Sequence, residues 1–560
     1  MFGKFFERKK ILFFLAISFL ILPLFTFADT FGQEQKFYVD KGYDAKGREE
    51  VAAVLQKVSN YAYFYLEKEW YQNLPDIQRA EVNNALYSLA NEFDNNIYPK
   101  LTSFYGSVWT PGIDNDPKIT ILFHQLKEGA GGYFNSGDEY LKVQYSKSNQ
   151  REMIYVNADT LFSKRLPAYV AHEFVHLITF YQKEKLRNVE EDVWLNELRA
   201  EYAPTYLGYN KNFTGSYLQQ RVKDLILTPN DSLTEWHGER ADYGIINLFA
   251  HYLAENYGEN ILSDSMQSSK TGIASLDEAL EKNGFSKNLF QVFTDFVITL
   301  YLNDCSLSQF YCFRNPDLKT IKITPSLIIV PRGIDTQVSL NYFIKPWSGN
   351  WYQIYTKGNL TFYFDGKNNQ TFQPLYIYCQ KGSCKVEKVV LDNNAKGSFA
   401  IENLDQNNDT LVFVPILSTL IENVYPFSLT IKNTYEDQAL IESLKAKVLE
   451  LQMQIEEIRK QIAQLLRKKI SCQSFDTTLS FGQRSEKVRC LQEFLKWQGK
   501  EIYPEGLVTG YYGILTKAAV KRFQEKYQAE ILAPQGLKFG TGNVDKLTLE
   551  KINQILSYGL

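Results

Sequence analysis

The spacing of hydrophobic positions along this chain changes several times, and each change marks a different kind of element. From about residue 33 to 99, Val51, Val54, Leu55, Val58, Ala62 and Tyr65 recur at three- and four-residue intervals, which predicts helix. Residues 118–123 alternate and are β-branched, so they read as a strand; a Gly-rich turn at 129–133 and a second short strand at 153–156 follow. Pro167 opens a stretch in which Ala168, Val170, Ala171, Phe174, Val175, Leu177 and Ile178 predict a buried helix. Further helices run up to about Leu302, the clearest from Tyr243 to Tyr257. From about 321 to 434 the texture becomes short runs, such as 361–364, 375–378, 410–414 and 427–431, separated by Gly, Asn and Asp. That spacing predicts a β-sandwich.

At residue 441 the period becomes seven. Ile441, Val448, Ile455 and Ile462 fill one seam position, and Leu444, Leu451, Ile458 and Leu465 fill the other. This predicts a coiled coil over 436–470, with β-branched residues at the first position and mostly Leu at the second favouring a parallel dimer. The alternative is a single amphipathic helix folded back on its own chain. Residues 471–560 carry a weak internal repeat. Gly482, Ser485, Val488, Leu491 and Gln492 are echoed by Gly513, Thr516, Val520, Phe523 and Gln524, and again by Gly542, Val544 and Thr548 to Ile552. Each unit reads as a turn, a hydroxyl N-cap and an amphipathic helix, making a small three-helix module.

Composition adds the compartment. A chain of 560 residues with 44% hydrophobic and 15% aromatic content is a folded one. A net charge of −3 and a pI near 6.1 leave no electrostatic footprint for nucleic acid. Lys4, Arg8, Lys9 and Lys10 precede an apolar run from Ile11 to Phe25, and Thr26, Phe27 and Ala28 precede Asp29. Residues 1–28 therefore read as a signal peptide, whose removal takes the charge from −3 to −6. The alternative is an uncleaved membrane anchor, although the run falls short of a comfortable bilayer span. Six cysteines fall into three local pairs, Cys305/Cys312, Cys379/Cys384 and Cys472/Cys490. An even count in an exported chain predicts disulfides, and none of the pairs has the Cys-x-x-Cys spacing of a zinc knuckle.

His172, Glu173 and His176 carry the chemistry. Two histidines four apart lie one turn from each other on one helix face, so their imidazoles converge on one metal. Glu173 between them reaches the water such a metal holds. Zinc lowers that water's pKa, and the carboxylate takes its proton as it attacks a carbonyl. The bland alternative is two core histidines beside a solvated Glu, in a chain with only five histidines. Glu197, twenty-one positions after His176 on a predicted second helix, weakens it: a third ligand leaves zinc's fourth position open. Glu201 shares a face with Glu197 and is placed to fix a ligand imidazole by hydrogen bonding, unless it is simply a surface carboxylate.

The run 172–178 followed by 194–202 resembles the gluzincin metallopeptidases, whose third zinc ligand is the Glu of an Asn-Glu motif, and within them the hyicolysin-type neutral peptidases. The turn at Gly131 to Phe134, the run from Arg151 to Tyr155 and Asp242-Tyr243-Gly244 fit the same family, so the resemblance covers about 38–298. It implies an α+β zincin-like catalytic domain over 33–302, binding Zn2+ through His172, His176 and Glu197 with Glu173 as general base. It also implies a small sheet whose edge strand lies above the motif helix. Residues 153–156 are the candidate for that edge, pairing with substrate backbone. Tyr243, opening a helix after the ligands, is the candidate donor to the oxyanion, with His237 as runner-up. The bland readings are core packing for Tyr243 and surface for His237. One departure bears on substrate preference: Asn196-Glu197 is followed by Leu198-Arg199-Ala200 where the family reads Gly-Leu-Ala. Arg199 is then a candidate partner for Glu201 or for a substrate carboxylate.

In the C-terminal segment, Leu491-Gln492, Thr509 to Gly513, Thr516, Ala519-Val520 and Phe523-Gln524 resemble the peptidoglycan-binding domains of bacterial wall proteins, over about 475–552. This implies retention at the wall; a general helical interaction module is the alternative. The readings combine into a multidomain chain: catalytic domain 33–302, β-sandwich 321–434, coiled coil 436–470 and peptidoglycan-binding-like module 471–560. The expected function is an exported zinc endopeptidase, extracellular or cell wall-associated. It would act on protein or peptide substrates and pair as a homodimer through the coiled coil. Two readings compete: a catalytically degenerate wall-attached binding or adhesion protein, and a hydrolase of peptidoglycan cross-link peptides. The complete set His172, Glu173, His176 and Glu197 counts against the first, because a degenerate copy is expected to lose at least the base.

Overall fold

The computed structural model describes residues 28–331, 336–433, 438–467, 472 and 474–558. The expected signal peptide lies, but for Ala28, outside them. The segment read as helical from residue 33 begins instead with three strands, β1 (Glu34–Tyr38), β2 (Glu50–Val58) and β3 (Ala62–Glu67). In β2, Val51, Ala53 and Leu55 are buried while Glu50 and Ala52 are exposed, a period of two. β3 is buried on both faces and so has no alternation to read. Val51, Val54, Leu55 and Val58 all lie in β2, whose register shifts between Leu55 and Lys57, and Ala62 and Tyr65 lie in β3. Helix starts only at Lys68–Asn73 and Asp76–Glu92.

With β4 (Ile119–His124), β5 (Gly132–Phe134) and β6 (Met153–Asn157), these strands form one sheet in the order β1-β2-β3-β4-β6-β5. β3/β4 and β4/β6 are parallel and the other pairs antiparallel. Residues 153–156 are thus not the edge strand. β4 takes up one hydrogen-bonding side of β6 and β5 the other, which leaves β5 at the edge. One face of the sheet, including Phe64, Ile121, Phe123, Ile154 and Val156, packs on the motif helix, Leu166–Thr179, and the helices around it. The other face buries Phe37, Tyr65, Leu122, Tyr133 and Tyr155 in a smaller core.

The predicted β-sandwich is built of β7 (Ser326–Ile329), β8 (Thr336–Ile344), β9 (Tyr352–Tyr355), β10 (Lys357–Asp365), β11 (Leu375–Gln380), β12 (Ser383–Lys388), β13 (Lys396–Asp405), β14 (Asp409–Val414) and β15 (Tyr425–Asn433). They make two sheets, β13-β10-β15-β8 and β12-β11-β14-β9-β7. Phe362, Phe364, Phe413, Phe427 and Ile431 fill the space between them. Leu375, Ile377, Val412 and Val414, on the outer face of the second sheet, join the core of the helical half. Trp347 packs against Phe290 and Phe293 at 5.3 and 5.5 Å, and Trp351 Nε1 donates to the Val297 carbonyl at 3.2 Å. The α+β half and the sandwich therefore form a single compact unit, whose described residues run from 28 to 433.

The second unit, 436–560, contains the helix Gln438–Arg467 and a small helical module. On that helix the seam residues Leu444, Val448, Leu451, Ile455, Ile458 and Ile462 are all exposed. The side chains of Ile441 and Leu465 lie outside the described residues. The module packs Glu486–Trp497, Ile514–Lys526 and Lys546–Tyr558 around Val488, Leu491, Phe494, Val520, Phe523 and Ile552. Its repeat is a repeat of hydrogen bonds. Gln492 Nε2 donates to Thr509 Oγ1, the Tyr511 carbonyl and Thr516 Oγ1, while its Oε1 accepts from the Thr509 and Gly510 N–H groups. Thirty-two residues on, Gln524 Nε2 donates to Thr541 Oγ1, the Asn543 carbonyl and Thr548 Oγ1, and its Oε1 accepts from the Gly542 N–H and the Thr541 hydroxyl.

All three cysteine pairs form disulfides, Cys305–Cys312, Cys379–Cys384 and Cys472–Cys490. Among the described residues no helix is long and apolar enough to cross a membrane.

Candidate metal centre

The motif helix begins with Pro167 in its first turn and is buried almost throughout, because nearly every residue on it is apolar. Its few polar side chains therefore share one pocket. His172, Glu173 and His176 are 8%, 5% and 7% exposed. One ligand atom from each lies within 4.8 Å of the others. The helix Val193–Tyr206 brings Glu197 against them, with Oε2 at 3.2 Å from His172 Nε2 and Oε1 at 3.6 Å from His176 Nε2. Glu197 Oε2 and His172 Nδ1 make no hydrogen bond of proper geometry. Two imidazoles and a carboxylate that converge while leaving acceptor capacity unused fit a zinc-type cation.

Partners behind these groups set their orientation. His176 Nδ1 faces Asn196 Oδ1 at 3.1 Å, so the ring donates there and leaves Nε2 free to face Glu197. Glu201 is fully buried, which rules out a surface carboxylate, and its Oε1 lies 3.6 Å from His172 Nδ1. It accepts from Tyr217 Oη, from Arg221 Nε and Nη2 at 2.9 Å each, and from Asn247 Nδ2 at 3.1 Å.

Arg199 is not the partner of Glu201, nor is it open to substrate. It is fully buried and pairs with Glu191 at 2.7 Å and with Ser265 Oγ. Residues two apart on a helix point away from each other, so Arg199 leaves the face that holds Glu197 and Glu201. The cation beside Glu201 is Arg221, from the helix Tyr217–Leu227, and no local pattern announces it.

Tyr243 is the fourth residue of the helix Arg240–Tyr257 and is half-buried. Its ring packs edge-on against Trp236 at 4.9 Å and beneath the Arg221 guanidinium at 4.4 Å. Burial, then the carboxylates of Glu197, Glu201 and Glu173, raise its phenol far above the ordinary range, so it keeps its proton. The His237 side chain is 56% exposed and lies 3.7 Å from Glu235. A second tyrosine escapes sequence reasoning. Tyr43, in the loop between β1 and β2, stacks on Tyr133 at 4.7 Å, and burial followed by Glu173 and Glu197 raises its phenol too. Nothing in its neighbourhood along the chain points to this pocket.

β5 runs close over the motif helix. A Cβ on Gly132 would sit 2.7 Å from Glu173 Oε1 and 2.6 Å from the Tyr155 carbonyl oxygen, so only glycine allows the approach. With protein groups alone around it, burial pushes Glu173 up to about 8; Glu197 and Glu201 add to the rise and His172 opposes it.

No curated protein matches the chain. Among solved structures, PliG of Aeromonas hydrophila, a periplasmic inhibitor of g-type lysozyme, is 12% identical with a TM-score of 0.15, covering 20% of this chain and 98% of its own. Salmonella Typhimurium PliG is 16% identical with a TM-score of 0.13, covering 20% and 98%. A Bacillus endospore appendage protein is 14% identical with a TM-score of 0.12, covering 20% and 99%. These likenesses are too slight to bear on fold or function. Residues 484–552 match the family model of the peptidoglycan binding domain. The C-terminal segment thus carries a peptidoglycan binding domain, and with it an association with the cell wall.

Proposed function

We propose that this chain is an exported zinc endopeptidase of the gluzincin type, held at the cell wall by its C-terminal domain. One observation carries the reading: His172, His176 and Glu197 converge in a buried pocket with Glu173 on the same helical turn. These three residues would hold Zn2+, which when bound supplies Lewis-acid activation of a water and of the scissile carbonyl. Glu173 takes the proton of the attacking water and returns it to the leaving amine. Asn196 orients the His176 imidazole, and the Glu201 carboxylate faces His172 Nδ1 at 3.6 Å. Tyr243 keeps its proton and donates to the developing oxyanion. Substrate backbone adds to the free edge of β5, which Gly132 brings down onto Glu173. The exposed heptad seam of Gln438–Arg467 supports pairing with a second copy as a parallel coiled coil.

The peptidoglycan binding domain favours one rival, a hydrolase of wall cross-link peptides. Zinc content and casein hydrolysis of the mature chain, measured beside Glu173→Gln, test both. Stoichiometric zinc is expected in both proteins, with hydrolysis falling about 10³-fold or more only in the variant. Absence of zinc from the purified and zinc-equilibrated wild type overturns the reading. Bound zinc with cleavage of D-amino-acid wall peptides but not of casein transfers it to the rival.

A further inference from the structure

A second group of buried carboxylates lies away from the metal centre, in the connection between β5 and β6. Glu139 ends the turn Ser136–Glu139 that follows β5, and Glu152 immediately precedes β6. Glu139 is 0% and Glu152 2% exposed. No hydrogen-bond donor reaches either oxygen of Glu139, nor Oε2 of Glu152. The backbone brings the two segments together, the Arg151 N–H donating to the Asp138 carbonyl at 3.2 Å, and after burial the Glu152 carboxyl is what raises Glu139 above the ordinary range. Glu152 Oε1 accepts from the Ile113 N–H at 2.7 Å, and its Oε2 is pressed onto Gly112, where a Cβ would stand 1.8 Å away.

Little nearby neutralises the pair. Asp138 and Asp114 face it and add negative charge. Asp138 is itself held by Tyr155 Oη at 2.6 Å and the Asn149 N–H at 2.7 Å. Lys185 is the cation that faces Glu139, and its Nζ donates to the Glu139 backbone carbonyl at 3.2 Å, over the rings of Trp109, Tyr140 and Phe180. Two carboxylates removed from water and from donors are costly unless a proton or a cation lies between them.

We propose that Glu139 and Glu152 form the core of a calcium-type cation site that ties the β5–β6 connection to the loop carrying Gly112 and Asp114. The donors are all hard oxygens, which suits Ca2+ and disfavours zinc or copper. The remaining ligands such an ion requires would be backbone carbonyls and water. Gly112, at φ 84°, is the residue that allows the backbone to close on Glu152. None of these residues belongs to the metal centre, so the inference stands or falls apart from the peptidase reading.

The test uses the mature full-length chain, stripped of all metals with EDTA, dialysed, reloaded with zinc and titrated with CaCl2. One calcium per chain is expected by metal analysis, with a melting temperature raised by about 5 °C at saturation. Glu139→Gln and Glu152→Gln should each weaken calcium binding at least tenfold. The wild-type titration decides the matter even where a variant fails to fold. The proposal is overturned if the wild type binds no calcium and instead melts higher as pH falls from 8 to 5.5, which marks a shared proton. Equal calcium binding by folded variants and wild type overturns it as well.

Discussion

Gln524 and His172 are both buried polar side chains at the centre of a polar cluster, one in the wall-binding module and the other in the pocket on the motif helix. Every hydrogen-bonding direction of the Gln524 amide ends on a partner within hydrogen-bond distance. His172 has Nδ1 without a hydrogen bond and Nε2 turned towards Glu197 Oε2. A saturated polar group defines the fold around it and has nothing left to offer. An unsaturated one, held in place by its neighbours and aimed at a common point, can bind. By that criterion Gln492 and Gln524 are architecture, while His172, Glu197, Glu139 and Glu152 each keep hydrogen-bonding capacity unused.

This contrast can be broken in three ways. The largest effect is expected at Gln524→Leu, which leaves the Gly542 N–H without its acceptor and takes one partner each from the Asn543 carbonyl and the Thr541 and Thr548 hydroxyls. The module should lose about 3 kcal/mol in denaturant unfolding, with zinc content unchanged. A loss below about 0.5 kcal/mol would mean that the saturated network is dispensable. Next comes Asn196→Ala, which removes the anchor of His176 Nδ1. Zinc affinity should fall by about 10- to 100-fold in chelator competition while the metal-free melting temperature barely moves. The reverse pattern would make Asn196 a folding residue. The smallest effect concerns His124, a histidine as buried as His172, whose Nδ1 lies 3.3 Å from Asp44 Oδ2 and whose Nε2 lies 3.3 Å from Tyr133 Oη. Burial lowers it from 6.5 to about 4, against the pull of Asp44 and Glu67. Its folded value lies below its unfolded one, so unfolding takes up a proton in between. The stability it contributes above pH 6.5 is lost as pH falls through 4. The advantage of wild type over His124→Gln in urea should therefore shrink across that range, by up to one proton per chain, and parallel profiles would contradict the assignment.

What could be read from the chain was local. Histidines four apart meet because helix geometry makes them meet, and the cysteine pairs close because they are near in sequence. The runs 361–364, 375–378, 410–414 and 427–431 all fall within strands, since alternation on half-buried sheets leaves a visible pattern. Where burial covers both faces the pattern vanishes, which is how β3 came to resemble helix. The edge position of β5 depends on strand order, which no short window contains. Tyr43, Tyr217 and Arg221 reach the pocket from distant loops and helices, and their types at those positions say nothing beforehand.

The paired glutamine brackets of the wall-binding module have a consequence for how such a module can change in length. The helix Ile514–Lys526 presents Thr516 to the glutamine before it and Gln524 to the threonines after it, so it is a link with a receiving end and a giving end. Adding or removing a whole 32-residue link leaves every remaining joint complete, whereas any other length change opens one. The module is thus countable in units, like a chain of identical couplings, and its length can only grow in steps.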